Sequence, residues 1–383
     1  MSYLAIARKW RPQRFEDLVG QGHVTRTLQN AIRMGRVHHA FLFTGARGVG
    51  KTSAARILAK ALQCENGPAD NPCNECGACR EITAGSHPDV VEIDAASNNR
   101  VDDVRDLIEK VRYLPARGRR RIYIVDEVHM VTTQAFNALL KTLEEPPPHV
   151  VFIFATTDPQ KILDTVLSRC QRFDFKMIPV RTIHERLKEI CATDGVRITD
   201  GALLLVAREA GGSMRDAQSL LDQVLSFGEG ELTEEQVVQT LGFIDRTLLH
   251  DVIEAVVVGD PARALDGVRR VQEFGYDARQ FAKELLEALR HLMVIALVPD
   301  ASRLVDLPAD EQQRLKALAA GTTPEAIQRR FDLLAGALDD IARSETPGMI
   351  LEVSVLRLAR VRPYVPVEAL VERLVALERR LAS

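Results

Sequence analysis

Aromatic side chains are scarce in this 383-residue chain, at 5% with a single tryptophan, whereas charged residues make up 27%. That balance suits a largely helical soluble protein with charged outer faces, and 46% hydrophobic residues suffice for two or three domains with cores of their own. Long apolar runs are missing. No stretch approaches the roughly 18 residues needed to cross a bilayer, which excludes a spanning helix and a membrane partner. Met1–Arg11 holds no apolar segment of signal-peptide length, so a cytoplasmic protein is expected. An excess of positive charge is also lacking. The net charge of −3 excludes a uniformly basic nucleic-acid binder, so any DNA contact must come from a local patch. Internal repeats and low-complexity tracts are absent as well.

What is present first is an alternation. Apolar runs at Ala40–Phe43, Val90–Ile93, Ile122–Val125 and Val150–Ala155, with Phe173 and Phe175 as a weaker fifth, read as strands. Between them lie helical stripes: Ala54, Ile57, Leu58 and Ala61; Val101, Val104, Ile108 and Val111; and Phe136, Leu139, Leu140 and Leu143. Buried strands separated by amphipathic helices predict a parallel sheet covered on both faces. Past about residue 179 the strands stop. Residues 181–194, 200–210 and 213–227 read as three short helices, the second capped by Thr199 or Asp200, and a helical pattern continues beyond Asp245 with its most apolar stretch at Leu285–Leu297.

Gly45-Ala46-Arg47-Gly48-Val49-Gly50-Lys51-Thr52, followed by Ser53, fits G-x-x-x-x-G-K-[ST] between a strand and a helix, the context a phosphate loop requires. Glycines let backbone N–H groups turn inward around phosphates, and the helix N-terminus adds positive potential. Lys51 would reach the β- and γ-phosphates of ATP, and Thr52 would offer its hydroxyl to Mg²⁺. Ile122–Val125 then ends in Asp126 and Glu127. Asp126 is expected to hold the Mg²⁺ through its water shell and Glu127 to orient the attacking water. Asp126-Glu127-Val128-His129 also spells the DExH pattern of helicases, but such a helicase needs a second sheet domain and the strands end too early. His129 reads as the start of a loop. Four of the six cysteines form Cys64-x8-Cys73-x2-Cys76-x2-Cys79. In a reducing cytosol that clustering points to metal rather than disulfides. Four thiolates and no histidine suit a closed structural Zn²⁺ site, with an iron–sulfur cluster or free thiols as alternatives. Cys170 and Cys191 read as small buried apolar residues.

These motifs, with Leu4–Phe15, Val19-Gly20-Gln21, Leu143-Glu144-Glu145-Pro146-Pro147, Thr156–Lys161 and Ser168-Arg169-Cys170, resemble the bacterial clamp-loader ATPases, the tau/gamma subunits of DNA polymerase III. The resemblance is dense over residues 1–220. It implies an α/β P-loop core of the AAA+ type over 1–178 with a zinc module inserted at 64–79. An all-α lid over 179–243 and an all-α collar for oligomerisation over 244–383 would follow. It also implies roles. Thr157, or Thr156, would be the sensor near the γ-phosphate, Arg169 an arginine finger for a neighbouring subunit's ATP, and Arg215 a second sensor. Arg11, Pro12 and Val19 would line the adenine pocket.

The implied activity is ATP hydrolysis within a ring of clamp-loader subunits that opens the sliding clamp and loads it on primed DNA. The chain would thus belong to a DNA polymerase holoenzyme, although no residues form a catalytic set for nucleotide addition. A non-hydrolysing structural subunit is the alternative, set against by intact Lys51, Thr52, Asp126 and Glu127, and a helicase or branch-migration motor is a third. Asn98, Asn99, Arg100 and Arg105 open a helix and are candidates for DNA phosphates, with pairing to Asp102 and Asp103 as the competing reading. Arg117 and Arg119–Arg121 read as a solvated loop.

Overall fold

The computed structural model describes residues 5–97, 111–227, 230–241, 246–298 and most of 304–361, with scattered positions between 371 and 381. The chain divides into two compact units, Met1–Leu241 and Gly242–Ser383.

The first unit is built on five strands: β1 Ala40–Thr44, β2 Val90–Asp94, β3 Arg121–Asp126, β4 Val150–Thr156 and β5 Gln171–Asp174. All pairings are parallel, in the order β2-β3-β4-β1-β5. β1 and β4 are buried at every residue because both faces are covered, which is why they read as unbroken apolar runs. On one face Phe41 and Phe43 pack with Ile57 and Leu58 of the helix Lys51–Gln63. On the other, Tyr123, Phe152 and Phe154 pack with Phe136 and Leu139 of the helix Thr133–Glu144. Each such side chain taken out of water contributes about 1.5–3 kcal/mol. The stripe expected at Val101, Val104 and Ile108 lies outside the described residues, and Val111 is buried. The registers matter for function. Thr44 stands opposite Thr156 and Asp174, and Asp94 opposite Asp126, so the carboxyl ends of the strands form one edge. Crevices at that edge are where parallel α/β sheets hold ligands.

The helices Val180–Asp194, Asp200–Glu209 and Met214–Phe227 follow, then a fourth, Glu234–Leu241, that the sequence pattern had not singled out. Thr199 is the cap of the second helix, its hydroxyl accepting the Ala202 N–H at 3.3 Å, while Asp200 lies in the first turn. The sheet and these four helices together make up the first compact unit, Met1–Leu241. The N-terminal segment spans the two parts. Trp10 Nε1–H and Lys9 Nζ both donate to Asp194, at 3.1 and 2.7 Å, and the Arg186 guanidinium lies 5.5 Å from the Trp10 ring centroid.

The second unit holds six described helices: Arg246–Val258, Pro261–Glu273, Ala278–Leu297, Ala309–Ala320, Pro324–Arg343 and Pro347–Ala359. Asp260, Asp277 and Thr323 cap three of them through side-chain oxygens. The core gathers Phe281, Leu285, Leu289 and Leu292 with Ile327, Leu334, Leu351 and Val355. Gly267 lets the first two helices approach closely, since a Cβ there would stand 2.4 Å from Val252 Cγ2. Among the described residues no helix is long and apolar enough to cross a membrane.

Candidate nucleotide-binding site

The loop Gly45–Gly50 leaves β1 at the carboxyl edge and turns into the helix Lys51–Gln63, with Gly50 as its N-cap at φ 106°. Gly48, at φ 76°, carries the lid against the loop: a Cβ there would lie 1.9 Å from Ser213 Oγ. Lys51 is 5% exposed, and its ammonium donates to the carbonyls of Gly45 and Ala46, 2.8 Å each. Burial lowers the Lys51 pKa, while Glu127 and Asp126 pull it back up. Thr52 Oγ1 donates to Asp126 Oδ2 at 2.6 Å, so the two candidate Mg²⁺ holders already adjoin.

Glu127 follows β3 with φ 47° and ψ 45°, a left-handed backbone that a residue with a side chain adopts at a cost and that clusters at functional positions. Its carboxylate accepts from Thr157 Oγ1 at 3.0 Å and from the Thr157 N–H at 3.3 Å. Thr156 instead is buried, its Oγ1 3.0 Å from His129 Nδ1. His129 therefore does more than open a loop: it sits in the short turn Val128–Met130 and lies 3.4 Å from Glu127 Oε2. Its position two residues after Glu127 was the available signal.

A cavity of about 410 Å³ opens at this edge. Arg11, Pro12 and Val19 wall one side, Arg47 to Ser53 the floor, Asp126 and Glu127 the strand end, and Arg215 with Gln218 the lid side. The structure thus brings together the phosphate loop, the acidic pair, the N-terminal segment and Arg215. Trp10, Asp17 and Asp94 also line it and were not anticipated. The lone tryptophan beside Arg11-Pro12 was a usable hint for the first; the other two had none. Arg169 is elsewhere. It lines a separate cavity with His38, His39 and Glu144, its Nη2 2.5 Å from Glu144 Oε1 and its Nη1 2.6 Å from the Thr165 carbonyl. One chain does not bring Arg169 to its own phosphate loop.

Cys64, Cys73, Cys76 and Cys79 converge, all four Sγ atoms within 4.8 Å of one another. Cys73 Sγ and Cys79 Sγ are 4.0 Å apart, near the ~3.8 Å edge of a tetrahedron with 2.3 Å metal–sulfur bonds. Cys64 ends the helix Lys51–Gln63 and Cys76 caps the helix Gly77–Ala84. The N–H groups of Cys76 and Cys79 point at the sulfurs of Cys73 and Cys76, 3.4 Å each. Backbone N–H groups of Glu75 and Cys76 pull the Cys73 thiol down to about 6, whereas burial pushes Cys64 and Cys79 up. The donor set and its geometry fit a closed four-sulfur metal site. Cys170 and Cys191 stand apart from it; burial raises them to about 12 and about 11.

Asn98, Asn99, Arg100 and Arg105 lie outside the described residues. The basic run that follows is more ordered than a solvated loop. Asp89 accepts the N–H groups of Ala116, Arg117 and Gly118 at 2.7–2.8 Å, and Arg121 already belongs to β3.

A parallel sheet with a phosphate loop, an acidic strand end and a helical lid on one cavity defines a nucleotide-binding core of the AAA+ ATPase type. Residues 20–179 match the family described as DNA polymerase III, delta subunit. Residues 182–230 match the DNA polymerase III clamp loader subunit, ATPase lid domain, and 232–374 match DNA polymerase III subunits gamma and tau domain III. The chain is 43% identical over 366 residues to DNA polymerase III subunit tau of Salmonella typhimurium, covering 96% of this chain and 57% of that one. It is 42% identical over 383 residues to subunit gamma/tau of Mycobacterium tuberculosis, covering 99% and 66%. It is 39% identical over 299 residues to subunit gamma of Buchnera aphidicola, covering 78% and 81%. The chain therefore belongs to the gamma/tau family of DNA polymerase III clamp-loader subunits. It spans about 57–66% of the length of the Salmonella and Mycobacterium relatives. Nothing in these matches supports nucleotidyl transfer by this chain itself.

Proposed function

We propose that this chain is an ATP-hydrolysing motor subunit that acts with other clamp-loader subunits to load a sliding clamp onto primed DNA. The carrying observation is the convergence of Lys51, Thr52, Asp126 and Glu127 on one cavity at the sheet's carboxyl edge, in a chain of this family. ATP phosphates would exchange with the Gly45 and Ala46 carbonyls for the Lys51 ammonium. Mg²⁺, held by Thr52 and by Asp126 through water, would supply charge neutralisation at the phosphates. Glu127, oriented by Thr157, would polarise the attacking water, and Arg215 would report nucleotide state to the lid. Arg169, turned away from its own loop, would complete a neighbour's site and stabilise charge on the transferred phosphoryl. Arg11, Pro12 and Val19 would enclose the base. The four cysteines would hold a structural Zn²⁺, which fixes the loop between the helices Lys51–Gln63 and Gly77–Ala84. Coupling to the clamp requires ATP to favour one subunit arrangement over another.

ATP turnover measured with and without clamp and primed DNA tests this reading. Stimulation by both together, and its loss in Lys51→Ala, is expected. A wild-type chain that neither retains nor cleaves ATP beside its companion subunits would end the motor reading. Retention without cleavage would favour a structural subunit, and strand separation on bare duplex a helicase.

A further inference from the structure

Lys60 is 2% exposed, on the inward side of the helix that begins at the phosphate loop. A buried ammonium is costly unless its protons find acceptors. Those of Lys60 do: the Gln13 carbonyl at 3.0 Å, Gln13 Oε1 at 2.7 Å and Asn74 Oδ1 at 2.7 Å. Its neighbours Ala59, Ala61 and Leu62 fill the same buried helix with apolar groups, so packing alone does not call for a lysine there.

The two partners lead in different directions. Gln13 Nε2 donates to the Arg11 carbonyl at 3.0 Å, and the Gln13 N–H donates to Asp17 Oδ2 at 2.9 Å. Arg11 and Asp17 both line the nucleotide cavity. Asn74 lies between Cys73 and Glu75 with φ 64°, a backbone conformation set by the fold of the cysteine loop. Thr83, on the helix that carries Cys79, reaches Gln13 Oε1 as well, at 3.4 Å. The cysteine loop is further docked by Asn71 Nδ2 on Glu16 at 2.9 Å.

We propose that Lys60 is a positioning residue coupling the four-cysteine centre to the Arg11–Asp17 wall of the nucleotide cavity, so that metal in the cysteines tightens nucleotide binding. The proposal rests on the nucleotide-binding reading above. Metal fixes the cysteine loop and hence Asn74. Without it Asn74 is released, the buried ammonium is left short of an acceptor, and Gln13 with the Arg11 carbonyl shifts to compensate. By reciprocity, bound nucleotide raises metal affinity by the same factor.

The test is ADP affinity by titration calorimetry on the full chain, with zinc bound and after chelation, in wild type, Lys60→Met and Asn74→Gly. Glycine at 74 removes the acceptor and tolerates the positive φ. Chelation is expected to weaken ADP binding by wild type roughly three- to tenfold, the net worth of one hydrogen bond. Each variant should be weakened as much with zinc present and be indifferent to chelation. A merely structural role for Lys60 would lower the melting temperature and leave ADP affinity alone. Wild-type affinity in both variants, or losses on chelation and substitution that multiply, overturns the proposal. Should Lys60→Met not fold, Asn74→Gly decides by the same two outcomes. Wild type that binds ADP regardless of zinc removes this inference and spares the nucleotide reading; wild type that binds no ADP removes both.

Discussion

The Thr157 hydroxyl donates to the Glu127 carboxylate at 3.0 Å, joining the end of β4 to the turn that follows β3. His129 stands 3.4 Å from the same carboxylate. Glu127, held in a left-handed backbone, is thus aimed by side chains of two adjacent strand ends before any substrate arrives. Orientation of this kind is what a water-polarising carboxylate needs, because a fixed group spends no reorganisation in the transition state.

Glu127→Gln should therefore keep ATP affinity and lower turnover by about 10²–10⁴, the range for a positioned general base. Thr157→Val keeps the shape and removes one donor, so turnover at saturating ATP should fall about tenfold. Steady-state hydrolysis with clamp and primed DNA reads both. Unchanged kcat in Thr157→Val would mean that the contact does not orient Glu127 during turnover.

On the proposed reading, Lys51 would bear on binding rather than on the water. Its ammonium is buried and satisfied by two loop carbonyls, so on that reading phosphate oxygens would replace those acceptors in kind. Lys51→Met removes the buried ammonium at the end of the loop, and ATP affinity should drop at least about a hundredfold, as two charge-assisted hydrogen bonds imply. Equilibrium binding to the isolated chain measures this directly. Near-normal affinity would place the phosphates elsewhere.

Much of this was legible because its determinants are local. β1 and β4 are buried on both faces, so their apolar runs are continuous, and the phosphate loop and cysteine cluster each fit within 16 residues. The contacts that organise the site are not local. Trp10 meets Asp194 across 184 positions, Lys60 meets Gln13 across 47, and Glu127 meets Thr157 across 30. No periodicity marks such pairs: Glu127 meets Thr157 because β3 pairs with β4, and Lys60 and Asp194 meet the N-terminal segment from helices distant in sequence. Glu234–Leu241 is not legible for another reason, since eight residues give too few turns for a clear stripe.

Arg169 tests the assembly. It is tied to Glu144 and Thr165 in a cavity apart from the phosphate loop. Arg169→Ala should leave ATP affinity of the isolated chain unchanged and lower turnover of the assembled complex by roughly 10³–10⁵. Binding and turnover measured on the same preparation separate the two effects. A variant that loses ATP affinity as an isolated chain would place Arg169 in its own site instead.

Asp89 offers a prediction about stability. It is 1% exposed, and burial alone would push its carboxyl up. The N–H groups of Gly118, Ala116 and Arg117 outweigh that and hold it below its ordinary value. The sign follows: a depressed folded pKa gives stabilisation fully present above the unfolded value of about 3.9 and lost as pH falls through the lower folded one. Asp89→Asn keeps the shape but turns an amide donor toward backbone donors. It should cost about 2–4 kcal/mol near neutral pH, read by urea unfolding of the first unit. Because protonation removes the same acceptor from the wild type, the gap between the two proteins should shrink once pH falls below about 4. A gap that stayed constant through that window would show that the carboxylate's charge is not what anchors residues 116–118, and that shape alone holds the loop ahead of β3.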